Sequence, residues 1–164
     1  MGRLSNVNIV DSEPKQQTDS ASGVSHLKLM KKPFSGSEAG ANGRGKSILI
    51  IDDESCVRTL LEHMFVLEGY QTTIAEDGNE GVASFREIRH DLVFTDLHLP
   101  GMSGTEVARS IKAISPNTPV IAVTGWGAAL SDADMSQMSF DFIVSKPFEL
   151  EQLLEMASSL TSRG

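Results

Sequence analysis

The chain has 164 residues, 40% of them hydrophobic, and a formal net charge of −8. That is enough for one buried core plus a tail, and no apolar run approaches the roughly 20 residues of a membrane span. A single cysteine, Cys56, excludes an internal disulfide and a cysteine-based metal site.

The charge is unevenly distributed. Residues 1–46 hold 7 Lys/Arg against 4 Asp/Glu, whereas the remainder holds 7 basic and 18 acidic residues. An acidic body argues against direct nucleic-acid binding, because phosphate contacts need clustered Lys and Arg. The start, Met1-Gly2-Arg3-Leu4-Ser5-Asn6, lacks the apolar core of a signal peptide, and Asn6 stands where myristoylation requires Ser or Thr. The expectation is a soluble cytoplasmic protein with no membrane segment.

Residues 1–46 are rich in Ser, Gly, Gln, Asn and Lys with little apolar periodicity, the composition of a disordered tail or linker. Within it, Val24-Ser25-His26-Leu27-Lys28-Leu29-Met30-Lys31-Lys32-Pro33-Phe34 mixes apolar and basic residues. It reads either as a strip that docks on a partner or on the acidic domain, or as an ordinary solvated linker. The Gly/Ser-rich stretch from Ser35 to Gly45 reads as a flexible hinge.

A domain is expected over residues 47–162. Ile48–Ile51 is a continuous apolar run, as in a strand buried on both faces. Ser55 is the expected N-cap of a helix carrying Val57, Leu60, Leu61, Met64 and Phe65 at helical spacing, closed by Gly69. Tyr70–Ala75 is rich in β-branched residues and predicts a second strand. Asp77-Gly78 predicts a turn, and Glu80–Arg89 a helix burying Val82, Phe85 and Ile88. Leu92–Thr95 is a third strand, residues 97–104 a turn, and Val107, Ala108, Ile111 and Ile114 mark a third helix. Val120–Val123 and Phe140–Val144 predict the fourth and fifth strands, with a weak helix over Ala128–Met138 between them. Glu149–Leu160 is the expected fifth helix. Strands alternating with helices imply an open parallel α/β sheet.

In such sheets ligands bind beyond the carboxyl ends of the strands. The first strand leads into Asp52, Asp53 and Glu54, the third into Asp96, the fourth into Thr124, and the fifth into Ser145-Lys146-Pro147. Each residue alone has an ordinary explanation: a lone Asp after a strand is usually a cap, and acids favour the first turn of a helix. Together they suit phosphoryl transfer. Clustered carboxylates repel and invite a divalent cation, and oxygen ligands with a phosphate partner favour Mg²⁺. Asp96 is the candidate nucleophile, Thr124 offers a hydroxyl to a phosphoryl oxygen, and Lys146 a fixed positive charge.

These pieces carry a family resemblance. Ile48-Leu49-Ile50-Ile51-Asp52-Asp53-Glu54, the run from Asp91 through Asp96 to Pro100-Gly101-Met102-Ser103-Gly104, Val120-Ile121-Ala122-Val123-Thr124-Gly125 and Ser145-Lys146-Pro147-Phe148 resemble the receiver domains of bacterial two-component response regulators, including the chemotaxis regulator. The resemblance covers about seventy per cent of the chain. It implies a flavodoxin-like (βα)5 fold with strand order 2-1-3-4-5, and phosphorylation of Asp96 by a histidine kinase or phosphotransfer domain. It further implies Mg²⁺ held directly by Asp53 and Asp96, through water by Asp52, and by the backbone carbonyl of His98. Thr124 and Lys146 would hold the phosphoryl group, with a cis Lys146–Pro147 bond.

Two departures stand out. Many receivers place Tyr or Phe three residues before the lysine, where this chain has Ile143, with Phe142 one position earlier. Phe142 and Ile143 point to opposite faces of a strand, so one cannot replace the other unless the register is misjudged. His98 and Trp126, two residues beyond Asp96 and Thr124, are candidates to overhang the phosphoryl group and control water access.

No output module is visible after the last helix, so the expectation is a single-domain receiver, or one detached from a larger sensor kinase. It would signal through the face of the fourth helix, fifth strand and fifth helix; whether it also forms a weak homodimer is left open. The leading expectation is a phosphorylation switch rather than an enzyme acting on a separate substrate. A phosphorylation-independent adaptor is the alternative. An aspartyl phosphatase is disfavoured because His98 stands where such enzymes usually carry a second Asp.

Overall fold

The computed structural model describes residues 43–125 and 139–162. The strands are β1 (Ser47–Ile51), β2 (Gln71–Ala75), β3 (Leu92–Thr95), β4 (Val120–Thr124) and β5 (Phe142–Ser145). The helices are α1 (Ser55–Leu67), α2 (Gly78–Glu87), α3 (Gly104–Ile114) and α4 (Leu150–Thr161). All strand pairs are parallel, and the order is β2-β1-β3-β4-β5, the order implied by the resemblance. The expected fourth helix, Ala128–Met138, and the tail through residue 42 lie outside the described residues.

The alternation of side chains along each strand divides the core in two. Ile48 and Ile50 of β1, with Leu92 and Phe94 of β3 and Ile121 and Val123 of β4, pack beneath Leu61 and Phe65 of α1 and Leu153 and Ala157 of α4. Leu49, Ile51, Val93 and Val120 face Val82 and Phe85 of α2 and Val107, Ala108 and Ile111 of α3. Both faces are covered, which is why these strands read as unbroken apolar runs. Each fully buried Phe, Leu or Ile contributes about 1.5–3 kcal/mol.

At the amino ends of the strands, carboxylates do structural work. Asp91 accepts hydrogen bonds from the Ser47 backbone N–H at 2.8 Å and hydroxyl at 3.1 Å, and pairs with Lys46 at 3.4 Å. Asp141 accepts from the Val120 N–H and pairs with Lys112, both at 2.7 Å. The opposite end of the sheet is left for chemistry.

The helix termini depart locally from the expected ones. Ser55 is the first residue of α1 rather than its cap; Glu54 holds the cap position, and its side chain makes no capping hydrogen bond to the helix. Gly78 opens α2, because the Asp77 side chain caps it by accepting from the Glu80 N–H at 2.9 Å. Ile88 is exposed rather than buried, because α2 ends at Glu87 and Ile88 adopts extended geometry. Ser103 and Glu106 form a reciprocal capping box at the start of α3.

Candidate functional site

The sheet itself delivers the site residues. The Asp52 N–H donates to the carbonyl of Ala75, the last residue of β2, at 3.3 Å. The Asp96 N–H donates to Ile51 at the end of β1 at 2.9 Å, and the Lys146 N–H to Thr124 at the end of β4 at 2.8 Å. Each side chain is therefore fixed by one ladder bond beyond its strand. Asp52, Asp96 and Thr124 are only 2%, 7% and 0% exposed.

Gly104 sets the approach of α3. Its N–H donates to the Leu97 carbonyl at 3.0 Å, and a Cβ in its place would overlap the Asp96 carbonyl oxygen. Only glycine permits that closeness. The spacing of the Asp96-to-Gly104 run contains the signal, although sequence reasoning assigned Gly104 no role.

The Lys146 ammonium is the hub. Its three donors reach Asp96 Oδ2 at 2.8 Å, Asp52 Oδ2 at 3.0 Å and Glu54 Oε1 at 3.0 Å. Asp96 Oδ1 accepts from the His98 backbone N–H, and Asp52 Oδ1 from the Glu54 N–H, both at 2.9 Å. Arg58 of α1 donates to the Asp52 carbonyl oxygen. The Lys146–Pro147 peptide bond is cis.

Electrostatics follow from this packing. Burial pulls the Lys146 pKa down, but its hydrogen bonds to Asp96, Asp52 and Glu54 outweigh that and hold it above the ordinary lysine value. Burial pushes the Asp52 carboxyl above its ordinary value, an effect only partly offset by Lys146 and the Glu54 N–H.

Asp52, Glu54 and Asp96 each place a carboxylate oxygen within 4.8 Å of the others. Three carboxylates against one ammonium leave two uncompensated negative charges. An all-oxygen donor set with that residual charge, open to water on the exposed Glu54 side, fits a divalent cation such as Mg²⁺. Asp53 is exposed and outside this cluster, although adjacent to it. Glu54 is the member that sequence reasoning left without a role; its position directly after Asp52-Asp53 was the available signal.

The remaining sequence candidates are placed as follows. His98 has an exposed side chain, and Trp126 lies outside the described residues. Ile143 pairs with Ala122, which fixes the register of β5 and leaves Phe142 on the opposite face, against the core beneath α1 and α4. The aromatic is thus displaced from the usual switch position. Among the described residues, no helix is long and apolar enough to cross a membrane.

Known proteins resemble this chain in sequence and fold. The family profile described as "Response regulator receiver domain" matches residues 48–158. The sensory transduction protein RegX3 of Mycolicibacterium smegmatis is 33% identical over 118 residues, 72% of this chain and 51% of that protein. The sporulation initiation phosphotransferase F of Bacillus subtilis is 36% identical over 112 residues, 66% of this chain and 87% of that protein. The chain therefore spans about half the length of RegX3 but most of the Bacillus protein. The response regulator TrrA of Thermotoga maritima, solved in complex with Mg²⁺-BeF, superposes with a TM-score of 0.64 at 35% identity, covering 70% of this chain and 98% of that one. A response regulator receiver domain protein from Clostridium thermocellum gives 0.64 at 30% identity, covering 72% and 95%. The chain belongs to the response regulator receiver domain family of two-component signalling systems.

Proposed function

We propose that Asp96 is the phosphoacceptor of this chain and that its modification changes which proteins the domain contacts. The observation that carries the reading is the convergence of Asp52, Glu54 and Asp96 on Lys146 at the carboxyl ends of the central strands. The donor is a phosphohistidine on a sensor kinase or phosphotransfer domain. An Asp96 carboxylate oxygen attacks phosphorus, the P–O bond forms as the P–N bond breaks, and the electron pair returns to the donor imidazole.

The chain's own groups prepare this step. The His98 N–H holds one Asp96 oxygen, and Lys146 holds the other and is positioned to pair its ammonium with the phosphoryl oxygens. Thr124, buried at the end of β4, supplies a hydroxyl for a phosphoryl oxygen. Asp52, Asp53, Asp96 and the His98 carbonyl would hold Mg²⁺. When bound, the cation supplies charge neutralisation that lets an anionic phosphodonor approach a cluster of carboxylates.

No substrate turnover beyond forming and losing its own acyl phosphate is ascribed to the chain. Signalling is ascribed to altered protein contacts around β5 and α4. An adaptor role independent of phosphorylation is the competing reading. The test is incubation with Mg²⁺ and acetyl phosphate, read by intact mass. The parent gains one phosphate and Asp96→Asn gains none. Labelling of Asp96→Asn refutes the assignment, and no labelling of the parent by either acetyl phosphate or a phosphohistidine donor favours the adaptor.

A further inference from the structure

The outer face of α1 is unusual for a surface helix. Its exposed positions are Ser55, Cys56, Thr59, Leu60, His63, Val66 and Leu67, and none is Asp, Glu, Lys or Arg. Leu60, Val66 and Leu67 are 46%, 52% and 79% exposed. Cys56, Leu60, His63 and Leu67 follow the i, i+4, i+7, i+11 spacing of one continuous stripe. Surface helices ordinarily carry charge there, and a contiguous apolar face marks a contact surface.

The rim of the stripe is acidic. Between residues 53 and 68 the chain carries Asp53, Glu54, Glu62 and Glu68, against Arg58 alone. Arg58 is already directed to the Asp52 carbonyl. The fitting occupant is therefore apolar and basic.

Such a segment is tethered beside it. The Gly43 N–H donates to the Glu68 carbonyl at 3.1 Å, one residue past the end of α1. A Cβ on Gly43 would lie 2.6 Å from the Tyr70 ring, so the chain is pressed against that ring as it joins the domain. Upstream, residues 24–34 contain Val24, Leu27, Leu29, Met30 and Phe34 with Lys28, Lys31, Lys32 and no acid. Eight residues lie between Phe34 and Gly43, so nine Cα–Cα steps join them, an r.m.s. reach of about 16 Å for a Gly/Ser-rich linker and about 30 Å fully extended. The 13 residues of α1 span about 20 Å.

We propose that residues 24–34 dock in cis on the exposed Cys56–Leu60–His63–Leu67 face of α1. A short tether gives an effective concentration in the mM range, so even a weak contact is substantially occupied. Because α1 begins directly after Glu54, the docked segment flanks the acidic site.

Cys56, the only cysteine, lies on the face in question and serves as the probe. In the full chain, the rate of Cys56 modification by a disulfide reagent is compared between the parent and Leu27→Ser/Leu29→Ser/Met30→Ser, which keeps the charge unchanged. The expected result is a rise of about twofold or more in the variant. Backbone amide shifts compared between the two proteins should differ at Leu60, His63 and Leu67, to an extent unchanged by dilution. Equal thiol rates, shift differences confined to another face, or differences that vanish on dilution (a second copy as occupant) overturn the proposal. None of these readouts involves phosphorylation, so its failure is distinguishable from failure of the Asp96 assignment.

Discussion

Gly104 lies against the backbone carbonyl of Asp96 with no room for a Cβ between them. The helix that follows the site is thus seated directly on the residue that carries it. Gly104→Ala should force α3 and Asp96 apart, with a destabilisation of about 1–3 kcal/mol from overpacking. Phosphate incorporation from acetyl phosphate should fall more than the folded fraction does. Denaturant midpoint and intact mass, measured on the same samples, check both. An alanine variant with unchanged stability and labelling contradicts the close packing.

Among the described residues, Lys146 is the only Lys or Arg that forms an ion pair with the carboxylates of Asp52, Glu54 and Asp96. Removing it in Lys146→Met leaves buried carboxylates uncompensated, at a cost of about 3 kcal/mol near neutral pH. The sign of the pH response follows from Asp52, whose carboxyl already sits above its ordinary value. Without the lysine it rises further, so the folded variant gains stability as pH falls and the carboxyl takes up a proton. Mg²⁺ should raise the melting temperature of the variant more than that of the parent. Thermal melts with and without Mg²⁺ at two pH values decide the matter.

Asp53 and Glu54 differ in what already holds them. Glu54 shares the Lys146 ammonium, whereas Asp53 is exposed and makes no ion pair among the described residues. Asp53→Asn should therefore weaken Mg²⁺ binding by about tenfold or more, and Glu54→Gln by less. Titration calorimetry of the two variants tests the ranking. The reverse order would make Glu54 the principal ligand.

A second pH response originates away from the site. His90 is buried, its Nε2 is 2.9 Å from the Thr73 hydroxyl, and its ring stacks on Phe85. Burial lowers its pKa below the ordinary 6.5, outweighing the attraction of Asp91. The neutral ring is favoured in the fold, so this contribution is complete above about pH 6.5. It is lost as pH falls through the lower folded value. His90→Gln should flatten that loss in urea titrations between pH 7 and 5; a parallel loss in parent and variant would assign the response elsewhere.

The strands and their polar ends were legible because a strand covered on both faces must be an apolar run, and a polar residue at its end is conspicuous. Ile51-Asp52, Thr95-Asp96 and Val123-Thr124 show this directly. Helix boundaries were less legible, because capping depends on local geometry. Asp77 captures the Glu80 N–H and starts α2 two residues earlier than its apolar periodicity indicates. The part of Glu54 was hidden for a different reason. It arises only when Lys146, following β5, reaches past β4 to carboxylates following β3 and β1, a relation set by strand order rather than by spacing. The unusual face of α1 was obscured because Leu60 fits a helical apolar pattern yet remains exposed.

The ladder bonds that hold Asp52, Asp96 and Lys146 tie them to the carbonyls of three different strands. Losing the geometry of the site and losing the sheet are consequently one event. Whatever binds at the site acts as a rivet through the whole domain, adding about 2.7 kcal/mol to its stability at a hundredfold excess over the dissociation constant. Melting temperature then becomes a meter of occupancy, and ligands for this face can be ranked by heating the protein, before any partner or donor has been identified.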